Sequence, residues 1–279
     1  MGLLQIFIYA FLQGLTYFLP LPDQNFYLYF SKVLDWRDPD ITIIIAVHTG
    51  ALVAVVLYYL ADLVKIVYYT IYSLVKHQIG PVSRIGIYLI VASIPVIIGN
   101  ILLKNNSIMV TNESILTGCT TIVCGLALWI SSYFNRILIW KNILKIEGER
   151  RDSLRHMSLS QSFFIGLIQI LMFISGASRT AITISGGLFL GFRPEAAVRF
   201  SFLLLIPILL TSICCDGLSF TTESYMSVRW IDVACAFITT LVSSIIAIRF
   251  LVLYVSRYSF NLFILILILA GIFEIYSLL

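Results

Sequence analysis

The chain has 279 residues, of which 60 % are hydrophobic and only 11 % charged, with a formal net charge of +4. Its mean hydropathy is +1.00. Soluble domains carry about 25 % charged residues, so this composition excludes an ordinary soluble enzyme and a disordered chain. It describes an all-α polytopic membrane protein, because a membrane barrel would alternate rather than run continuously apolar. The small positive charge fits a basic cytoplasmic bias, and no basic stripe with interleaved aromatics suggests nucleic acid. The cysteines Cys119, Cys124, Cys214, Cys215 and Cys235 lie in or at the ends of apolar runs without metal spacing, and read as packing residues.

In chain order, the first apolar segment is Leu3–Leu19, without a basic leader or a small-residue cleavage site. It breaks at Pro20, Pro22, Asp23, Gln24 and Asn25, and a second short stretch follows over Phe26–Leu34. Ile41–Leu60, Ile85–Leu103 and Ser114–Tyr133 are long enough to span. A second broken region runs Gln161–Ile174, then Ser175-Gly176-Ala177-Ser178-Arg179-Thr180, then Ala181–Phe192. Phe200–Cys215, the shortest run, Ile231–Leu253 and Ser259–Leu279 complete about six transmembrane helices.

Each half of a broken region is too short to cross. Irregular backbone at membrane depth survives only when buried in protein or lining a wet cavity. We therefore expect one membrane domain, 1–279, with re-entrant hairpins over about 3–34 and 161–192. Phe11-x-x-Gly14-Leu15 recurs as Phe163-x-x-Gly166-Leu167, and Ser93–Ile97 resembles Leu205–Leu209. Two broken segments at equivalent places form the pattern of inverted repeats, in which the breaks mark the binding site.

With 61–84 and 134–160 read as loops on one face, that face holds thirteen Lys and Arg and the other four, with Arg179 inside the second break. The basic face is then cytoplasmic, and both termini and the 216–230 loop lie outside. The two tips, Pro20–Asn25 and Ser175–Thr180, are expected to meet near the midplane.

Arg179 is the most informative residue, since a buried guanidinium is costly and needs a partner. With Gly176 for flexibility, the hydroxyls of Ser178, Thr180 and Thr183, and a half-helix N-terminus from Ala181, it forms an oxyanion site suited to phosphate. The alternative is a structural arginine that caps carbonyls or pairs with a buried carboxylate. Gln13, Thr16, Tyr17 and Pro20 share one helical face of the first segment, either lining a cavity or bonding between helices. His48, within an apolar span beside Thr49 and Gly50, reads as a packing histidine or as one facing the cavity, and His77 and His156 read as solvated.

These motifs resemble the undecaprenyl-diphosphate phosphatase family of the bacitracin-resistance type. Gly176–Gly187 is similar to its signature P-G-x-S-R-S-G-x-T-I-x-x-G, and Ala197–Pro207 to A-x-x-F-S-F-L-L-x-I-P. Gln13–Pro20 resembles E-G-L-T-E-F-L-P, and His48–Val55 resembles H/Q-L-G-x-L-x-A-V. The resemblance implies an integral enzyme of the bacterial inner membrane that removes the terminal phosphate from a C55 polyprenyl diphosphate. The product is the lipid carrier used in cell-wall synthesis. It also implies inverted repeats, two re-entrant hairpins and a site open to the outer side. The family's chemistry uses first-motif glutamates and a histidine, a divalent cation (Mg²⁺ or Ca²⁺), and the second-motif serine and arginine.

Here the glutamate positions are Gln13 and Tyr17, and V-S-S-T-G-H has become Leu21-Pro22-Asp23-Gln24-Asn25-Phe26. The phosphate-holding half (Ser178, Arg179) is kept, while the carboxylates and the histidine, now Phe26, are lost. Gln offers a metal one neutral oxygen and Tyr is a poor base at neutral pH. Asp23 is the one substitute carboxylate. Three functions stay open: a polyprenyl-diphosphate phosphatase using Arg179, Ser178 and Asp23; a lipid-phosphate binder or carrier without turnover; and a small-anion transporter. A homodimer is compatible with each.

Overall fold

A computed structural model describes residues 2–22, 36, 38–77, 79–104, 114–140, 154, 157–218 and 229–276. Among these residues the chain is helical, with no strand. The helices are α1 (Leu3–Thr16), α2 (Ile41–Tyr58), α3 (Leu60–Lys76), α4 (Pro81–Lys104), α5 (Ser114–Trp140), α6 (Leu159–Gln169), α7 (Arg179–Phe189), α8 (Pro194–Leu218), α9 (Trp230–Val255) and α10 (Asn261–Tyr276). A 3₁₀ turn, Ile170–Phe173, extends α6.

Among the described residues, five helices are long and apolar enough to cross a membrane: those in Ile41–Tyr58, Pro81–Asn100, Ile115–Ile137, Pro194–Gly217 and Trp230–Val255. Leu57, Ile90, Val123, Trp129, Ile246 and Leu269 are exposed, as expected where lipid replaces water around the bundle. The protein is a polytopic helical membrane protein.

Two expectations are corrected. The stretch 61–84 is not one loop, because most of it is α3. Asp62, Lys65 and Lys76 interrupt the apolar run but fall among residues with helical periodicity. The outward face of α3 exposes Val64, Val67, Tyr68, Ile71 and Val75, and its inner face places Ile66 and Thr70 against Gly86 of α4. The Phe200–Cys215 run is not short either. It is the centre of α8, 25 residues long. Pro194 stands at the first helical position, where its missing N–H costs nothing, so the helix begins before Arg199.

The packing is that of two repeats. Exchanging α1 with α6, α2 with α8, α4 with α9 and α5 with α10 preserves the principal contacts. Thus α1 packs on α9 as α6 packs on α4, α2 meets α9 as α8 meets α4, and α2–α8 and α5–α10 pair with themselves. Gly14 and Gly166 hold equivalent places. A methyl on Gly14 would meet Ser243 and Thr240 of α9, and one on Gly166 would meet the backbone of Ala92 in α4. A hydroxyl bond across each helix pair reinforces both contacts. Ser244 donates to Gly14 O at 3.2 Å, and Ser162 donates to Tyr88 O. Gly118 of α5 and Gly271 of α10 each abut the other's carbonyl, which places this contact on the pseudo-axis.

The second sequence match does not belong to this symmetry. Ser93–Ile97 lies on α4 and Leu205–Leu209 on α8, which are not exchanged. Both are short proline-containing apolar stretches, a similarity that arises without duplication.

Candidate active site

The second broken region is a helix–turn–helix. Its helices, α6 and α7, have 11 residues each, about 16 Å at 1.5 Å per residue and roughly half a hydrocarbon core. Ser158 caps α6 in a capping box with Gln161. Ser178 caps α7, so the helix begins at Arg179, two residues earlier than expected.

The turn between them is buried and its backbone is satisfied by α5. Thr121 Oγ1 donates to Gly176 O at 2.9 Å, and Thr117 Oγ1 and Ser175 Oγ share a hydrogen bond of 2.9 Å. Gly176 has φ +82°, a left-handed conformation that disfavours side chains. At the far end of α7, Asn135 Nδ2 donates to Leu188 O at 2.8 Å and to Phe192 O at 3.0 Å. One face of α5 thus secures both ends of the short helix. In a membrane those carbonyls have no water to turn to.

Tyr17 lies just beyond the end of α1, where the last carbonyls have no intrahelical donors. Pro20 and Pro22 prevent the helix from continuing. The Tyr17 carbonyl accepts from Arg179 Nη2 at 2.8 Å and from Thr180 Oγ1 at 3.0 Å. The guanidinium carbon of Arg179 also sits 5.8 Å from the centre of the Tyr17 ring. Arg179, only 6 % exposed, therefore bridges the C-terminal end of one broken segment and the N-terminal end of the other. The helix dipoles favour its charge at α1, and the first amides of α7 favour an anion beside it. The second tip thus meets the first segment at Tyr17, ahead of the expected tip Pro20–Asn25, of which only Pro20–Pro22 are among the described residues. Asp23 and Phe26, and the Phe26–Leu34 stretch, lie outside the described residues.

Ser178 Oγ accepts from Ala181 N at 3.5 Å. Thr183 lies one turn further along α7, where its hydroxyl reaches Arg179 O at 3.0 Å and Ser201 Oγ of α8 at 2.6 Å. Gln13 is half-buried on α1, and its carbonyl takes the Thr16 hydroxyl at 3.2 Å and the Tyr17 amide at 3.1 Å.

His48 is packed and also faces an acid. Its ring leans on Tyr17, with centres 5.8 Å apart, and its Nδ1 lies 3.4 Å from Asp216 Oδ2. Asp216 lies near the end of α8, inside the helix, where the sequence alone suggests the start of a loop. The available signal was an acid closing an apolar run directly after Cys214-Cys215. Thr117, Thr121 and Asn135 were also missed, since their polarity looks like ordinary spacing on a spanning helix.

These observations allow a test of the divalent cation. Gln13 and Tyr17 supply a neutral amide and a phenol, and no group of three His, Cys, Asp or Glu is gathered among the described residues. Hard cations prefer several oxygens including carboxylates, so the described first-motif donors do not fit one.

Comparison with known proteins decides the family. The profile of bacitracin resistance protein BacA matches residues 6–273. The chain belongs to this family. Among curated relatives, undecaprenyl-diphosphatase from Alcanivorax borkumensis is 32 % identical over 256 residues, 91 % of this chain and 90 % of that one. The Chromohalobacter salexigens protein of the same name is 34 % identical over 82 % of each chain. That of Teredinibacter turnerae is 29 % identical over 98 % of each. The relatives carry the name of a hydrolase.

Proposed function

We propose that this chain hydrolyses undecaprenyl diphosphate to the monophosphate in the bacterial inner membrane, recycling the lipid carrier of cell-wall synthesis. The observation that carries this reading is Arg179, buried where the two broken segments meet and aligned with the α7 N-terminus. Its fork matches two phosphoryl oxygens, and Thr180, Gly176 and Ser178 frame the same turn. Asp23 takes the place of the lost carboxylates, orienting the attacking water. No step is assigned to a divalent cation. The relatives named undecaprenyl-diphosphatase support the substrate.

The replacement of both glutamates favours a second reading, a scaffold that holds or moves the lipid phosphate without turnover. Phosphate release from C55 diphosphate by the purified protein, with and without Mg²⁺ or Ca²⁺, separates the two. Wild type is expected to release phosphate, and Asp23→Asn to do so about 10²-fold more slowly with binding retained. Wild-type binding without release establishes the carrier reading instead.

The proposed orientation puts the site toward the outer side. In a background lacking the native cysteines, an impermeant thiol reagent added outside should label Glu223→Cys and spare Arg150→Cys. The reverse labelling inverts the topology.

A further inference from the structure

The site contains an imidazole–carboxylate pair that neither motif accounts for. We infer that His48, oriented by Asp216, is the proton acceptor of the hydrolysis, replacing the first-motif histidine that is Phe26 here. This rests on the phosphatase reading. His48 Nδ1 is buried and makes no hydrogen bond among the described residues, yet it faces Asp216 Oδ2 at 3.4 Å. That is one small rotation short of an N–H···O bond, and catalytic pairs tighten when substrate binds. A carboxylate at Nδ1 selects the tautomer protonated there and leaves the Nε2 lone pair to accept a proton.

Location connects the pair to the chemistry. The Tyr17 ring lies 5.8 Å from the His48 ring and 5.8 Å from the Arg179 guanidinium carbon. The carbonyl of the same residue receives Arg179. His48 is thus separated from the phosphate-holding arginine by one side chain. Among the described residues, the titratable and charged groups facing it are Tyr17 from α1 and Asp216 from α8, with Arg179 of α7 beyond the tyrosine. On α9 the residues against the adjacent turn, at Gly50, are Phe237, Thr240 and Leu241, none of them charged.

In the assigned step the water oxygen bonds to the terminal phosphorus as the bridging P–O bond breaks. The electron pair of that bond stays on the polyprenyl monophosphate. The water proton passes to His48 Nε2 and then to solvent. Asp216 is a positioning residue, since it acts through the imidazole.

The test uses the full chain in detergent, measuring phosphate release from C55 diphosphate across pH. His48→Gln should lower kcat about 10²-fold with KM unchanged, and abolish the acid limb of the pH–rate profile. Asp216→Asn, nearly isosteric, should lower kcat less and alter the same limb, and it keeps the assignment testable if His48→Gln does not fold. Full kcat and an intact acid limb in both variants, while Arg179→Ala abolishes release, overturn this assignment and leave the phosphatase reading standing. A fall in kcat that is equal at every pH, or that comes with a raised KM, shows a structural role and also overturns it. Absence of release by the wild type overturns both.

Discussion

Arg179→Ala is expected to abolish binding of polyprenyl diphosphate. Hydrogen bonds to charged groups contribute about 1.5–3 kcal/mol each, so losing both arms of a fork removes roughly 3–6 kcal/mol. That corresponds to about 10²- to 10⁴-fold in affinity. The side chain also donates to Tyr17 O at 2.8 Å, so the variant loses a bond between the two broken segments. Arg179→Lys separates these effects. It can keep the charge and one donor for the carbonyl, but it has no fork, and should recover stability before affinity. A direct binding measurement with a labelled lipid diphosphate checks this. Unchanged affinity in Arg179→Ala would remove the arginine from the site and make it a carbonyl cap.

Gly176→Ala should be strongly destabilising. The left-handed backbone costs a side chain about 1–2 kcal/mol. The added carbon would also meet the backbone of Thr117, with Thr117 C at 2.8 Å and Cα at 2.9 Å. Backbone cannot rotate away as a side chain can, so α5 and the turn must separate, for a further cost of about 1–3 kcal/mol. Separation would also break the Thr121 bond to Gly176 O. Gly217→Ala is the control, because its added carbon meets nothing within 4 Å. Thermal unfolding in detergent should show a large loss of Tm for the first and little change for the second. Equal Tm values would mean that the turn is not held as described.

The apolar runs and the second break were legible in the sequence because hydrocarbon imposes a length and forbids unsatisfied backbone. The same reasoning identified Arg179 as a residue that must have partners. It failed where polarity and helix coexist. Asp62 and Lys65 hid α3, and Arg199 hid the first turn of α8, since counting apolar residues stops at a charge while the helix does not. Asp216 was missed for the related reason that an acid at the end of a run resembles the start of a loop. Its importance depends on His48, which is distant in sequence and adjacent only after α2 packs on α8. The α5 contacts with the second turn were hidden in the same way, because threonines on a spanning helix are common and their partners lie in another half of the chain.

The helices that begin the two halves pack on the opposite halves, α1 on α9 and α6 on α4. Such interleaving ties the halves like clasped hands. They cannot rock past each other as rigid lobes without tearing the glycine seams at Gly14 and Gly166. What joins the two broken segments themselves is slighter, the Arg179 and Thr180 bonds to a single carbonyl at Tyr17.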